Sequence, residues 1–564
     1  LGFTSAQLAP TQGIFRGQTG IVSLSDSPRA INSSIAQVID FKYRTKGART
    51  YPRSLLGVIA HIRQTFYDSD WYLKAQEIVQ AYPTENEPIS SNSSLESLGL
   101  SRALNKPFIF VSSNENSNSR AMNISKEFGL TPWILSGGYE YRNLESFADI
   151  KPFFIIPINF PSKPNVAKYM SDLQYSTKEL KHWDIAPDNL LYLFNANHNF
   201  SITSHGLKKK SDFRKNLQKI IDRGLNKDIV LAALTTIPAE ALGLEKSNGK
   251  IARGYNANLV IVDGEYFDPK SKVVSVWVEG KEIYISSKKT PSFLGEWSLK
   301  YDGTAYELKI VDLLKDQTNN IENKIYSGSI YYQGKTIDLY NIDIFESSIS
   351  FSINGALIGH KGSITFNGEL KDDQIIGTTK NTNTDKSSFQ ADRKTKDNSK
   401  ELKPESRSSL SVYKPEGAYG LIKKHPKPNA ILINDATLWT CGPKGTLAEW
   451  DILFVDGKIE QVAPDITVPQ GSAVVIEGAG KHITPGLIDC HSHSAASSIN
   501  EGTQYITSEV RMRDVIDPND INIYRQLGGG LTTANVLHGS ANPIGGQNVV
   551  IKLRWGSNAN ELIF

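Results

Sequence analysis

Cysteine is nearly absent from this 564-residue sequence, with Cys441 and Cys490 as the whole supply. Two thiols exclude a disulfide framework and allow at most one bridge. Such scarcity fits a cytosolic protein and equally a secreted one without disulfides, so localisation stays unassigned. Charge of one sign is missing too. Lys and Arg number 62 against 59 Asp and Glu, a formal net charge of +3. That balance gives no electrostatic case for nucleic acid or a membrane surface. No apolar run is long enough to span a bilayer. No secretory signal is visible, but Leu1 is not a methionine and the first residues already read as strand. The far end, ELIF, carries no terminal signal, and the chain reads as a stretch of a longer protein.

What is present in quantity is length, too much for one core, so several domains are expected. An internal repeat organises them. GFTSAQLAPTQGIFRGQTGIVSL (2–24) and GLTTANVLHGSANPIGGQNVVIKL (530–553) both open Gly-apolar-Thr-Ser/Thr-Ala. Both run through a turn-rich loop to Gly-Gln and an apolar strand, and Gly17-Gln18 matches Gly546-Gln547. Duplication is the better account of that shared order.

Across 1–244, short apolar strands such as 108–111, 133–135 and 153–156 alternate with helical patterns, which argues a parallel α/β fold. Residues 220–244 read as helical and 259–262 and 273–278 as strands. From 291 to 393 the pattern is nearly all strand, broken by Gly, Asn and Asp turns, as in a small antiparallel sandwich or barrel. Residues 379–409 are rich in Lys, Asp, Ser, Asn and Thr and read as a solvated tether. A second β-rich segment covers 430–482, followed by an apolar strand at 483–489.

That last strand runs into His491-Ser492-His493. Residues two apart on a strand point to the same side, so both imidazoles can share one divalent metal. A bare pair is weak evidence; its setting is stronger. Thr484-Pro485-Gly486 forms a turn before a short, apolar strand that is expected to be buried, and Asp489 stands two residues ahead of the pair. The string TPGLIDCHSH closely resembles the first metal strand of the amidohydrolase superfamily. ILINDATLWT, DILFVDGKIEQVAP and VIEGAGKHITPG are similar to the β segments that precede the barrel there. LTTIPAEALGL, GKIARGYNANLVIVDG and VVSVWVEGKEIY resemble the family's C-terminal end, with Ala257-Asn258-Leu259 departing from the usual Ala-Asp-Leu. The likeness covers 1–284 and 429–564, and is nearest to large tandem proteins with imidazolonepropionase-like units.

The resemblance implies α/β and all-β parts together: two incomplete (β/α)8 barrel units, small β-sandwich domains and a middle antiparallel β-barrel or sandwich. Residues 1–244 would be the later part of a first, non-catalytic barrel, and 245–288 its closing β segments. Then come an antiparallel β domain at 289–395, a polar linker at 396–425, the opening β segments of a second unit at 426–482 and the start of its barrel at 483–564. The two barrels are expected to pack on each other. The second unit would be a hydrolase acting on a C–N bond of a small-molecule substrate, such as a cyclic or linear amide. Its cofactor would be a divalent metal, zinc foremost, though histidine with carboxylate or carbamate suits manganese, iron or nickel as well.

His491 and His493 are the expected ligands. Lys552 is a third candidate if carbamylation makes it anionic; otherwise it is a lysine reaching solvent from a strand end. Asp489 is placed to orient a ligand or to bind the strand end, and His538 to meet metal or substrate or to cap its Gly-rich loop. The last-strand aspartate that would act as base is expected beyond Phe564. Glu509, Arg511 and Arg513 read as a surface salt-bridge cluster. In the first copy Ser23 stands where Lys552 does, and Pro10 near His538. Ser112-Ser113, Ser136-Gly137-Gly138 and His205 occupy strand ends where the family places histidines and an aspartate, and His61, His182 and His198 are isolated. The competing reading is a non-catalytic binding or scaffold protein. A tyrosine face on the middle domain (Tyr301, Tyr306, Tyr331, Tyr332, Tyr340) is a third.

Overall fold

The computed structural model describes residues 1–26, 28–42, 50–166, 172–285, 293–312, 326–345, 347–371, 373–381, 386–394, 406–417, 419–421 and 428–564. In the first half the short apolar runs become the middle of an open sheet ordered Phe15–Gln18, Gln37–Asp40, Pro107–Val111, Thr131–Leu135, Phe153–Pro157, Phe200–Thr203. The last five are mutually parallel and the first is antiparallel to its neighbour. Helices between them cover the sheet, which is why its strands are apolar on both faces. Ile39, Phe108, Phe110, Ile134, Phe154 and Phe200 lie in the resulting core.

One element was not legible from periodicity: a 27-residue helix, Leu55–Ala81. Ser54 caps it, its hydroxyl accepting from the Gly57 N–H at 3.2 Å. Val58, Ile59, Ile62 and Phe66 pack on the sheet. Leu56 and Ala60, on a different face, join Val510, Met512, Val515, Ala534, Val536 and Ile551 of the C-terminal segment. A helix buried on two faces has no single apolar stripe, and that hides it from a period-3.6 search. The segment read as one helix at 220–244 is three, Asp212–Asp222, Lys227–Ala232 and Thr236–Ala241. Gly224, with φ of +107°, ends the first of them.

The middle domain is a nine-stranded antiparallel sheet between Gly295–Tyr301 and Lys386–Arg393. Its edge strands, Lys335–Asp338 and Tyr340–Phe345, are separated in sequence by Leu339 alone, so the sheet curls until its edges meet as a nearly closed barrel. Trp297, Leu308, Phe351, Phe366 and Phe389 fill it. Tyr301 and Tyr306 belong to that core, so the expected tyrosine face does not exist as a unit; Tyr331 and Tyr340 point outward. A small antiparallel sheet precedes the barrel, Leu259–Asp263 with Lys272–Val278 and Lys281–Tyr284, and a mixed one follows it, in which Ala430–Trp439 is antiparallel to Thr446–Val455 and parallel to Val474–Glu477. Much of the expected linker, 396–405 and 422–425, falls outside the described residues. What is described is docked: Ser408 N–H donates to Asp188 at 3.0 Å, and Lys414 pairs with Glu145 at 3.0 Å. Among the described residues no helix is long and apolar enough to cross a membrane.

Candidate functional site

The motif strand, Leu487–Ser492, runs parallel to Leu531–Val536, which is antiparallel to Val549–Lys552. It was expected to be buried. Leu487 and Ile488 are instead 56% and 73% exposed, because among the described residues the strand pairs on one edge only, in a sheet of three. Its register slips between Asp489 and Ser492. Asp489 explains part of this, since its carboxylate accepts from the His491 N–H at 3.0 Å and turns the chain out of the ladder. The two imidazoles stand edge to face with centroids 5.2 Å apart. Nδ1 of His493 lies 3.1 Å from the Leu537 carbonyl, which takes its proton and leaves Nε2 as the free donor atom.

The other expected residues do not join this pair. Lys552 faces Thr533, which faces Ile488, so it lies two strands and several residues away. At about 4.8 Å per strand and 3.3 Å per residue that separation exceeds the reach of a lysine side chain. Its ammonium sits 4.2 Å from the centre of the Phe564 ring. His538 has both nitrogens engaged: Nε2 accepts from the Glu501 N–H at 2.8 Å, and Nδ1 donates to the Gly539 carbonyl at 2.7 Å. The Gly-rich loop folds tightly on it, and a Cβ at Gly545 would come within 2.7 Å of Nδ1.

Among the described residues no group of three or more His, Cys, Asp and Glu gathers to hold a metal ion. Structural and catalytic zinc sites use three or four protein ligands. The two imidazoles supply part of such a donor set.

The strand ends of the parallel sheet in the first half are built differently. Ser112 and Ser136 end their strands buried. Glu140, 1% exposed, accepts from Ser136 Oγ and Asn189 Nδ2 at 2.7 Å each. His182 stacks on Tyr139 with centroids 4.0 Å apart. Burial first, then the charges of Arg142 and Lys178, push His182 down to about 4. Tyr139, His182 and Asn189 border a cavity of about 380 Å³ at the strand ends, lined also by Phe160, Trp183 and Asn159. His205 is exposed just past its strand and His198 is buried against Phe147 and Phe154.

Residues 219–284 match the amidohydrolase family. That stretch holds the closing helices and strands of the first unit. Part of the chain is 33% identical over 146 residues to amidohydrolase tasK of Hapsidospora irregularis, covering 22% of this chain and 15% of that protein. An imidazolonepropionase of Klebsiella pneumoniae is 41% identical over 51 residues, 9% of this chain and 12% of that enzyme. The chain thus spans less than a sixth of the length of either curated relative. An amidohydrolase structure from Thermotoga maritima MSB8 superposes with a TM-score of 0.40 at 19% identity, over 50% of this chain and 72% of that one.

The contacts that sequence reasoning missed join the first half of the chain to its C-terminal segment. Arg63 Nη2 meets Asp514 at 2.8 Å and its Nε meets Glu127 at 2.8 Å. Burial works against the Arg63 charge, but Asp514 and then Glu127 outweigh it and hold its pKa raised. Arg120 donates to the Asp514 carbonyl at 3.0 Å and to Ser497 at 3.0 Å. Arg511, expected on a surface cluster, reaches Glu127 of the first unit at 3.7 Å. Partners some 450 positions apart leave no local signal.

Proposed function

We propose that the chain is part of a metal-dependent hydrolase that cleaves a C–N bond of a small cyclic or linear amide, with His491 and His493 as two of the ligands of a divalent metal, zinc foremost. The supporting observation is the His pair: adjacent rings at a strand end, one of them oriented by a backbone carbonyl so that Nε2 is presented. When bound, the metal would activate a water for attack on the carbonyl. Asp489 shapes the strand that carries the ligands. Lys552 is the remaining candidate ligand and stands apart in this arrangement. The first unit, whose strand ends carry serine, glycine and a glutamate satisfied by neutral donors, is a non-catalytic partner of the second.

The test is zinc titration followed by calorimetry on the chain as it stands. Wild type binds one zinc, and His491→Ala with His493→Ala abolishes that binding. Equal zinc uptake by the double variant removes the His pair from the proposal. Hydrolysis of imidazolone and acyl-amide substrates with zinc added then tests the reaction class.

A further inference from the structure

We propose that Glu501 is a positioning residue through which the first unit's long helix sets the conformation of the His538 loop. Glu501 is fully buried. One carboxylate oxygen accepts from Arg53 N–H at 2.9 Å and from Ser54 N–H and Oγ at 2.8 Å each, at the entrance to the helix Leu55–Ala81. The other accepts from Thr503 Oγ1 at 2.6 Å. A carboxylate at a helix N-terminus satisfies N–H groups that have no partner inside the helix and complements its dipole.

The main chain of the same residue faces the other way. Its N–H donates to His538 Nε2 at 2.8 Å, and its carbonyl accepts from Asn542 Nδ2 at 3.0 Å. Because Nε2 accepts, the proton is on Nδ1, where the Gly539 carbonyl takes it. Docking of the helix therefore holds His538 as one neutral tautomer and the loop 538–547 in one shape. Releasing the carboxylate frees the 501 backbone, and with it the nitrogen of His538.

The fit is close enough to be tested from the helix side alone. A Cβ at Gly57 would lie 2.2 Å from the Glu501 carboxylate oxygen and 2.9 Å from its carboxyl carbon. Glycine inside a helix is disfavoured relative to alanine, so Gly57→Ala stabilises an undocked helix. Here it should act in the opposite direction, and at a distance.

The experiment is hydrogen–deuterium exchange on the full chain without metal or substrate, with global unfolding followed alongside. Gly57→Ala and Glu501→Ala should each raise exchange about tenfold or more, both in the first helical turn and in the 538–547 loop. Glu501→Gln, which keeps an acceptor oxygen, should stay within about twofold of wild type. If Gly57→Ala does not fold, Ser54→Ala, which removes one of the three donors, should raise exchange in both places by a smaller factor. Unchanged protection of the loop while the helical turn exchanges faster would overturn the proposal, as would a Gly57→Ala protein identical to wild type. Zinc does not enter the readout, so failure here is distinct from failure of the hydrolase reading.

Discussion

The hairpin at the start of the chain and the one near its end pair in the same register. Ser5 faces Ser23 where Thr533 faces Lys552, and Ala6 faces Val22 where Ala534 faces Ile551. Their surroundings differ. The leading strand of the second hairpin has a parallel neighbour on its other edge, and that neighbour carries His491. The leading strand of the first ends its sheet among the described residues. At the shared position the first copy has a buried serine whose hydroxyl has no partner among the described residues, and the second has a lysine over a phenylalanine ring. Alternation and a leading glycine settle the backbone of both copies, while the elements that dock beside them settle what each can do. One part of the chain can then serve as the wall against which the other is held.

The sharpest way to break that picture is at Arg63. Arg63→Ala leaves Asp514 buried without its cation, a change that costs about 3–5 kcal/mol. Urea unfolding with exchange mapping should show the segment 495–553 opening before the parallel sheet. If both open together and at the wild-type midpoint, the second unit does not depend on the first.

A smaller effect separates the units by pH. His182 belongs to the first unit alone, and its folded-state value of about 4 lies below the ordinary 6.5. Between these values the unfolded chain takes up the proton and the folded one does not, so stability present above pH 6.5 is lost as pH falls towards 4. The loss attributable to this residue is on the order of 1–3 kcal/mol. His182→Gln should flatten that limb, read as the difference in urea midpoint between pH 7.5 and 4.5 for the variant and the wild type. An unchanged limb would place the acid sensitivity elsewhere.

The smallest expected change makes the second copy more like the first. Lys552→Ser removes a contact with Phe564 worth about 0.5–1 kcal/mol at a partly exposed site. Zinc affinity should change by less than about twofold, because the side chain does not reach the His pair. A tenfold loss would restore Lys552 as a ligand and require the sheet to rearrange around the metal.

Much was legible before the fold. The strands of the middle barrel follow their alternation, least clearly in Lys335–Asp338, Tyr340–Phe345 and Gln374–Asn381, which are short or rich in polar residues. The parallel sheet announced itself through runs such as FIFV and FFII, buried from both sides. The His pair was legible as spacing. Its exposure was not, since burial of a strand depends on how many neighbours the sheet acquires.

The sequence by itself determined local geometry: the twin hairpins, the turns, the apolar runs and the two histidines one residue apart. Those depend on residues within a few positions of each other, where alternation and glycine act directly. Only the tertiary structure decided that Leu56, Ala60 and Arg63 face the C-terminal segment, that Glu501 caps a helix 447 positions away, and that Lys552 and His538 are occupied elsewhere. These pairings follow from which faces of one buried helix and one short sheet meet, and no spacing along the chain encodes that choice.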